Sequence, residues 1–418
     1  MKPNNSIPQD KTLDNTLALL QEGFQFIPNR RKQLDSDIFQ TRLFGQKVIC
    51  MSGNEAAELF YDNERFQRKG AAPKRIQKTL FGENAIQGMD GEDHKHRKRM
   101  FLSLMTPERL NHMVDLTLNQ WKNKVIEWEK ANEVVLFDET EEMMCRAACE
   151  WAGIPIREKE VNQRSKDLGA MIDAFGGVGQ RYRQGKHARK RTENWIKDLI
   201  KEIRSGELNP LENTASYIVA WHRERNGKKL SPQMAAIELI NVIRPIVAIG
   251  RYITFGALAL HEYPETHKKL EEDKEEYSKM FVQEVRRFYP FGPFTGARVR
   301  KHFTWKQCRF KKGRLVLLDI YGTNHHPDLW EDPNDFKPER FKNWEGSPFR
   351  FIPQGGGDHY IGHRCAGEWL TVMVMKESMK FITTEMEYEV PPQNLNYSMV
   401  RMPSIPKSRF VIRKVRPK

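Results

Sequence analysis

Apolar residues recur every three to four positions through the middle of the chain. Segments 107–129, 138–152, 189–204, 232–261 and 280–289 all carry that spacing. It gathers the apolar side chains of each segment on one face and predicts helices. Pro107 and Pro232 fall in the first turn of two of them, where a missing amide removes no helical hydrogen bond. Strand-like runs are few and short. They fall at 45–52, 303–310 and 314–318, with Lys312-Gly313 as a turn, and around Phe410 near the C-terminus. The pattern describes a mainly α chain with small sheets at its edges. With no internal repeat and no dividing linker, residues 1–418 read as one domain.

The most apolar long run, 235–249, interrupts its own pattern with Glu238, Asn241, Arg244 and Pro245. It is too short and too charged to span a bilayer, so no stable membrane insertion is expected. The first twenty residues are polar and hold no apolar core of signal-peptide length, which predicts a cytoplasmic protein. Arg244 cannot shed its proton, so burial leaves a full charge in need of a partner. Pro245 beside it removes a backbone hydrogen bond and predicts a kink. Such a pair marks a functional site, unless Arg244 snorkels to the surface or pairs with Glu238.

Lys and Arg total 69 against 55 Asp and Glu, a net charge of +14. They are spread along the chain rather than gathered in a stripe. That distribution suits anionic ligands and argues against a nucleic-acid interface. The five cysteines are too scattered for a disulfide framework. Cys145 and Cys149 stand four apart on a predicted helix without a third ligand nearby and read as buried thiols. His325 and His326 likewise lack a zinc-type partner set.

Cys365 is different. It follows Gln354-Gly-Gly-Gly and the basic turn Gly362-His-Arg, with Gly367 two residues on and an apolar helical run beyond. Glycines let backbone amides point at sulfur, and cations favour the thiolate. The cofactor that takes one cysteine thiolate as its only protein ligand is haem. Upstream, Glu284 and Arg287 share a helical face. Taken alone, that spacing suits a surface pair. The stretch Asp332-Pro-Asn-Asp-Phe-Lys-Pro-Glu-Arg340-Phe341 would present Arg340 from a stiff loop, and a buried Glu284–Arg287–Arg340 cluster accounts for both motifs.

These three motifs, in this order and spacing, resemble the cytochrome P-450 superfamily. The likeness extends over almost the whole chain to one branch, the bacterial fatty-acid peroxygenases with their olefin-forming decarboxylases. It is carried by Asp14-Asn-Thr-Leu, Phe66-Gln-Arg, Pro73-Lys-Arg, 91–106, 281–293 and Ile352-Pro-Gln-Gly-Gly-Gly. Two departures from the superfamily's common pattern point the same way. Residues 358–361 lengthen the cysteine loop, and Arg244-Pro245 replaces the acid–alcohol pair of the central helix.

The resemblance implies the triangular helical prism with small sheets, holding haem b on Cys365. It implies an oxidoreductase that uses hydrogen peroxide on long-chain fatty acids without an obligatory reductase. Arg244 would bind the substrate carboxylate, with Pro245 beside it. Phe81 and Gln87 match positions lining the pocket. His94, Lys98 and His363 match positions that hold haem propionates; the other possibility is a solvated basic face formed by Lys95, Arg97 and Arg99. Decarboxylating members can carry histidine at the Gln87 position and hydroxylating members glutamine. Hydroxylation at Cα and Cβ is therefore expected, with terminal alkenes as a competing product. The alternatives are an enzyme that mainly makes 1-alkenes, a monooxygenase fed by redox partners, and a fatty-acid carrier or sensor without turnover.

Overall fold

The computed structural model describes residues 7–273 and 275–418. Residues 1–6 of the polar N-terminal stretch lie outside the described residues. The predicted helices form at Pro107–Trp128, Leu136–Trp151, Gln180–Ser205, Pro232–Glu262 and Glu276–Phe288. Two begin as their sequences ask. Thr106 and Ser231 accept hydrogen bonds from Arg109 N and Met234 N, each with proline at the next position. The third begins at Gln180 rather than 189, because its first turns are polar and carry no apolar rhythm. A further helix, Glu158–Asp173, escapes the pattern for the same reason and buries only a narrow stripe that includes Val161, Leu168 and Ile172.

The run 303–310 is not one strand. Phe303–Trp305 and Cys308–Phe310 pair antiparallel about Lys306 and Gln307, both at positive φ. A tight turn without glycine is hidden in the alternation. The main sheet orders Ile38–Leu43, Gln46–Met51, Leu315–Asp319, Phe294–Val299 and Phe66–Gln67, with only the second and third strands parallel. A smaller sheet joins Val134–Val135, Val411–Pro417 and Met386–Glu389.

Helix Pro232–Glu262 is the axis of the core. It packs against Leu136–Trp151, Gln180–Ser205 and Glu368–Thr384, and nearly all its residues from Ala235 to Leu260 are buried. Its apolar length serves this packing: it is the one helix among the described residues long and apolar enough to cross a membrane, and most of it is enclosed by protein. The helix runs unbroken through Pro245. The missing proline amide therefore withdraws one hydrogen bond, to the carbonyl of Asn241, without ending the helix.

The Glu284 cluster anchors the opposite side. Glu284 is fully buried and accepts from Arg287 Nε and Nη2 at 2.7 and 2.8 Å, from Arg340 Nε at 3.1 Å and from Lys337 N at 2.8 Å. Both guanidinium groups donate onward to carbonyls of the 331–335 loop. The Glu-x-x-Arg pair is thus an interior clamp and not a surface pair. Cys145 and Cys149 are buried, as their helical spacing suggested.

Candidate active site

The central helix and the cysteine loop are met here by the segment around Arg68, the turns Gln77–Phe81 and Ile86–Gly88, and the helix Gly91–Ser103. The loop is shaped by its glycines. Gly357 adopts φ 80°, and a Cβ on Gly356 would stand 2.4 Å from the Pro348 carbonyl. The turn can close this tightly only without side chains. Within it the Cys365 amide donates to the Gln354 carbonyl at 3.1 Å, and Gln354 Nε2 points at Cys365 Sγ at 3.7 Å. Behind the loop, buried Glu368 is held by Arg286 and Arg364, both at 2.6 Å.

Burial pushes the Cys365 thiol above its ordinary range, and the Glu368 carboxylate adds to this. The Gly367 amide, Lys98 and Arg286 pull the other way without prevailing. An amide and two cations thus favour the thiolate, as the composition of the loop suggested, while burial opposes them. Iron bound to the sulfur would favour the thiolate further.

Helix Gly91–Ser103 presents His94 and Lys98 towards the same loop. The rings of His94 and His363 lie 3.9 Å apart, centroid to centroid, and Lys98 Nζ donates to the Arg364 carbonyl. Arg68 is buried nearby and donates to the Gly296 carbonyl at 3.0 Å. Burial lowers Lys98 and takes His94 down to about 4, with Lys98 depressing it further. Among the described residues, neither Lys98 nor Arg68 forms an ion pair. These basic groups, drawn in from three segments with Asp90, Asp358 and Glu368 near but none in ion-pair contact with Lys98 or Arg68, fit the propionates of a haem. The chemistry of the donor set, one sulfur facing a cluster of basic side chains, thus matches the group implied by Cys365.

The alternative for this helix fails at Arg97. Its side chain is buried and donates to Glu238 Oε1 and to Glu224 Oε1, both at 2.6 Å. Glu238 is therefore already paired, which also removes it as the partner of Arg244. Nor does Arg244 reach solvent: it is 7% exposed. Its single side-chain hydrogen bond runs from Nη2 to Asn241 Oδ1 at 3.3 Å, and its buried Nε has no partner. Burial, with Arg189 adding and Cys365 opposing, lowers its pKa to about 9, so it stays a cation at neutral pH. A charge kept in the interior with so little company needs an anion from outside the chain.

Phe81 and Gln87 meet the central helix at Asn241. Phe81 ends a wide turn, Gln77–Phe81, followed by Gly82 at φ 87°, where a Cβ would lie 2.5 Å from Ile237 of the central helix. That close approach brings the Phe81 carbonyl to Asn241 Nδ2 at 2.9 Å. Gln87 sits on the turn Ile86–Gly88, with Oε1 3.5 Å from the same nitrogen. In the sequence Asn241 is only a polar interruption of an apolar run, and Glu238 is that and a possible partner of Arg244. Their signal was position: they precede Arg244 by one and nearly two helical turns. Arg68 and Gln354 lie in motifs that carry the family likeness, but the sequence assigns neither a role in the site.

The family model "Cytochrome P450" matches residues 258–407. Among curated proteins, putative cytochrome P450 120 of Synechocystis is 26% identical, with 94% of this chain and 92% of that protein aligned. Protopanaxadiol 6-hydroxylase of Panax ginseng is 21% identical, over 96% and 91%. Solved structures are much nearer. Cytochrome P450EX alpha (CYP152N1) with myristic acid shares 45% identity and a TM-score of 0.96 over 99% of both chains. A variant of cytochrome P450 OleT in complex with arachidonic acid shares 40%, also at 0.96 over 99% of both.

Proposed function

We infer that this chain, which belongs to the cytochrome P450 family and within it to the CYP152 branch, is an oxidoreductase that hydroxylates long-chain fatty acids at Cα and Cβ with hydrogen peroxide, working in the cytoplasm as one catalytic unit of residues 1–418. The observation that carries this reading is the buried, nearly unpartnered Arg244, whose charge suits one carboxylate. The myristic acid of the P450EX alpha structure and the arachidonic acid of the OleT variant complex are of that chemistry.

Haem b ligated by the Cys365 thiolate supplies the oxidising chemistry when bound, because thiolate ligation favours O–O cleavage. The chain's own residues do the rest. Arg244 holds the carboxylate, and Asn241 aims Arg244. The flanking Ile243, Pro245 and Ile246 offer neither acid nor hydroxyl, so no side chain there can move the peroxide proton. The substrate carboxylate on Arg244 is the group placed to accept and return it. Anchoring the head group leaves Cα and Cβ nearest the reacting centre and the chain terminus remote. Phe81 lines the pocket. Gln87 accepts or donates hydrogen bonds but cannot transfer a proton near neutral pH as histidine can, which favours hydroxylation over decarboxylation. Electrons from a reductase are not required.

The test compares a free fatty acid with its methyl ester under peroxide. The acid is oxidised and the ester, which cannot pair with Arg244, is not. Equal turnover of the two would remove the carboxylate from the mechanism.

A further inference from the structure

We propose that Glu238, secured by Arg97, is the positioning residue of this site: its carboxylate fixes Gln87 and Arg244 relative to each other and so helps decide which carbon of the fatty acid is oxidised. The proposal rests on the reading of Arg244 as the carboxylate anchor. It grows from one buried group that the mechanism above does not use. Glu238 is fully enclosed, and its two oxygens accept from three segments. The Ile86 amide reaches Oε1 at 3.0 Å, Arg97 Nη1 reaches the same oxygen at 2.6 Å, and Asn241 Nδ2 reaches Oε2 at 3.1 Å.

Each of these contacts leads to the site. Ile86 opens the turn Ile86–Gly88 that carries Gln87. Asn241 accepts from Arg244 at 3.3 Å, its two N–H bonds go to Glu238 and the Phe81 carbonyl, and Gln87 Oε1 lies beside the same nitrogen at 3.5 Å, so Gln87 is held chiefly through the Ile86 turn. Arg97 belongs to the helix that carries His94 and Lys98, and its second arm is tied to Glu224 at the surface. A carboxylate with this many donors is rigid. Small changes in head-group placement redirect oxidation between adjacent carbons. Glu238 does not touch the bound acid, so it acts through Asn241 and Ile86.

Charge alone predicts the opposite behaviour. A buried carboxylate two turns from Arg244 weakens the pull on a substrate anion, so neutralising it should tighten binding. Positioning predicts that neutralising it loosens binding, because glutamine turns a second donor against Arg97 or Asn241. The sign separates the two.

The experiment uses the full-length, haem-loaded protein and its Glu238→Gln variant. It measures the dissociation constant for myristate, deuterium exchange at the Ile86 amide, and the ratio of Cα to Cβ products. Expected are binding weakened about tenfold, faster exchange at Ile86, and an altered ratio. Tighter or unchanged binding with an unchanged ratio overturns the proposal. If Glu238→Gln does not fold, Arg97→Lys loosens the same carboxylate and should move all three readouts in the same direction by less. Unchanged exchange and ratio in that variant would equally refute it. Arg244→Ala is run in parallel. If it binds myristate like the parent, the anchor reading fails, and exchange at Ile86 alone then decides whether Glu238 holds the Gln87 turn.

Discussion

Replacing Arg244 with methionine should make the protein more stable and nearly unable to bind fatty acid. The side chain is 7% exposed and has one hydrogen bond, at 3.3 Å, so little within the fold rewards its charge. Burial lowers its pKa by between three and four units, to about 9. At 1.36 kcal/mol per tenfold in proton affinity, the upper limit for the cost of keeping that charge inside is about 5 kcal/mol. Methionine has a similar length and no charge. After loss of the Asn241 contact, worth about 1 kcal/mol, a net gain on the order of 1–3 kcal/mol remains. The substrate pair is a different matter. Removing one partner of a buried, hydrogen-bonded charge pair costs about 2–5 kcal/mol, or roughly 30-fold to several thousand-fold in affinity. Urea unfolding of the haem-loaded protein and a fatty-acid titration read the two quantities on one sample. A loss of stability greater than about 1 kcal/mol in Arg244→Met would refute the reasoning, because it would mean that Arg244 is already paired within the protein.

Other consequences follow from the same contacts. Glu284→Ala strips the carboxylate from the buried Arg287 and the partly buried Arg340 and should lower unfolding free energy by about 3–5 kcal/mol; a loss below about 1 kcal/mol in a denaturant titration would show that the clamp is not under charge stress. Gln87→His should shift product towards the terminal alkene, read by gas chromatography, and an unchanged ratio would place the branch point elsewhere. Burial raises Asp319 from 3.8 to about 7. An acid whose folded pKa is raised contributes stability that is fully present below its unfolded value and lost as pH rises through the folded one. Unfolding midpoints should therefore fall less from about pH 5 to about pH 8 in Asp319→Asn than in the parent, and parallel profiles would assign the slope to other groups.

Much of the architecture could be read in advance because its signals are local. The central helices declare themselves by apolar spacing, and Glu284 with Arg287 sit one turn apart on the same face. Cys365 stands out because tight glycine turns and a lone thiol coincide. What stayed hidden depends on partners distant in the chain. Arg97 looked like part of a solvated basic helix, and only its pairing with Glu238, 141 residues away, shows it to be interior. Asn241 looked like a blemish in an apolar run, yet its amide joins Phe81, Glu238 and Arg244. The polar first turns of Gln180–Ser205 and most of Glu158–Asp173 lack rhythm because only a narrow stripe of each is buried. Cys365 shows the limit of composition: basic neighbours were visible, but the burial that outweighs them was not.

The most direct measurement is product analysis of the purified, haem-loaded protein with myristate and hydrogen peroxide, in the absence of any reductase or nicotinamide cofactor. Cα- and Cβ-hydroxy acids are expected, with a one-carbon-shorter alkene as the minor product. No product under peroxide, together with turnover once an electron-transfer partner and NAD(P)H are added, would contradict this and leave the buried charge of Arg244 without a substrate carboxylate to hold.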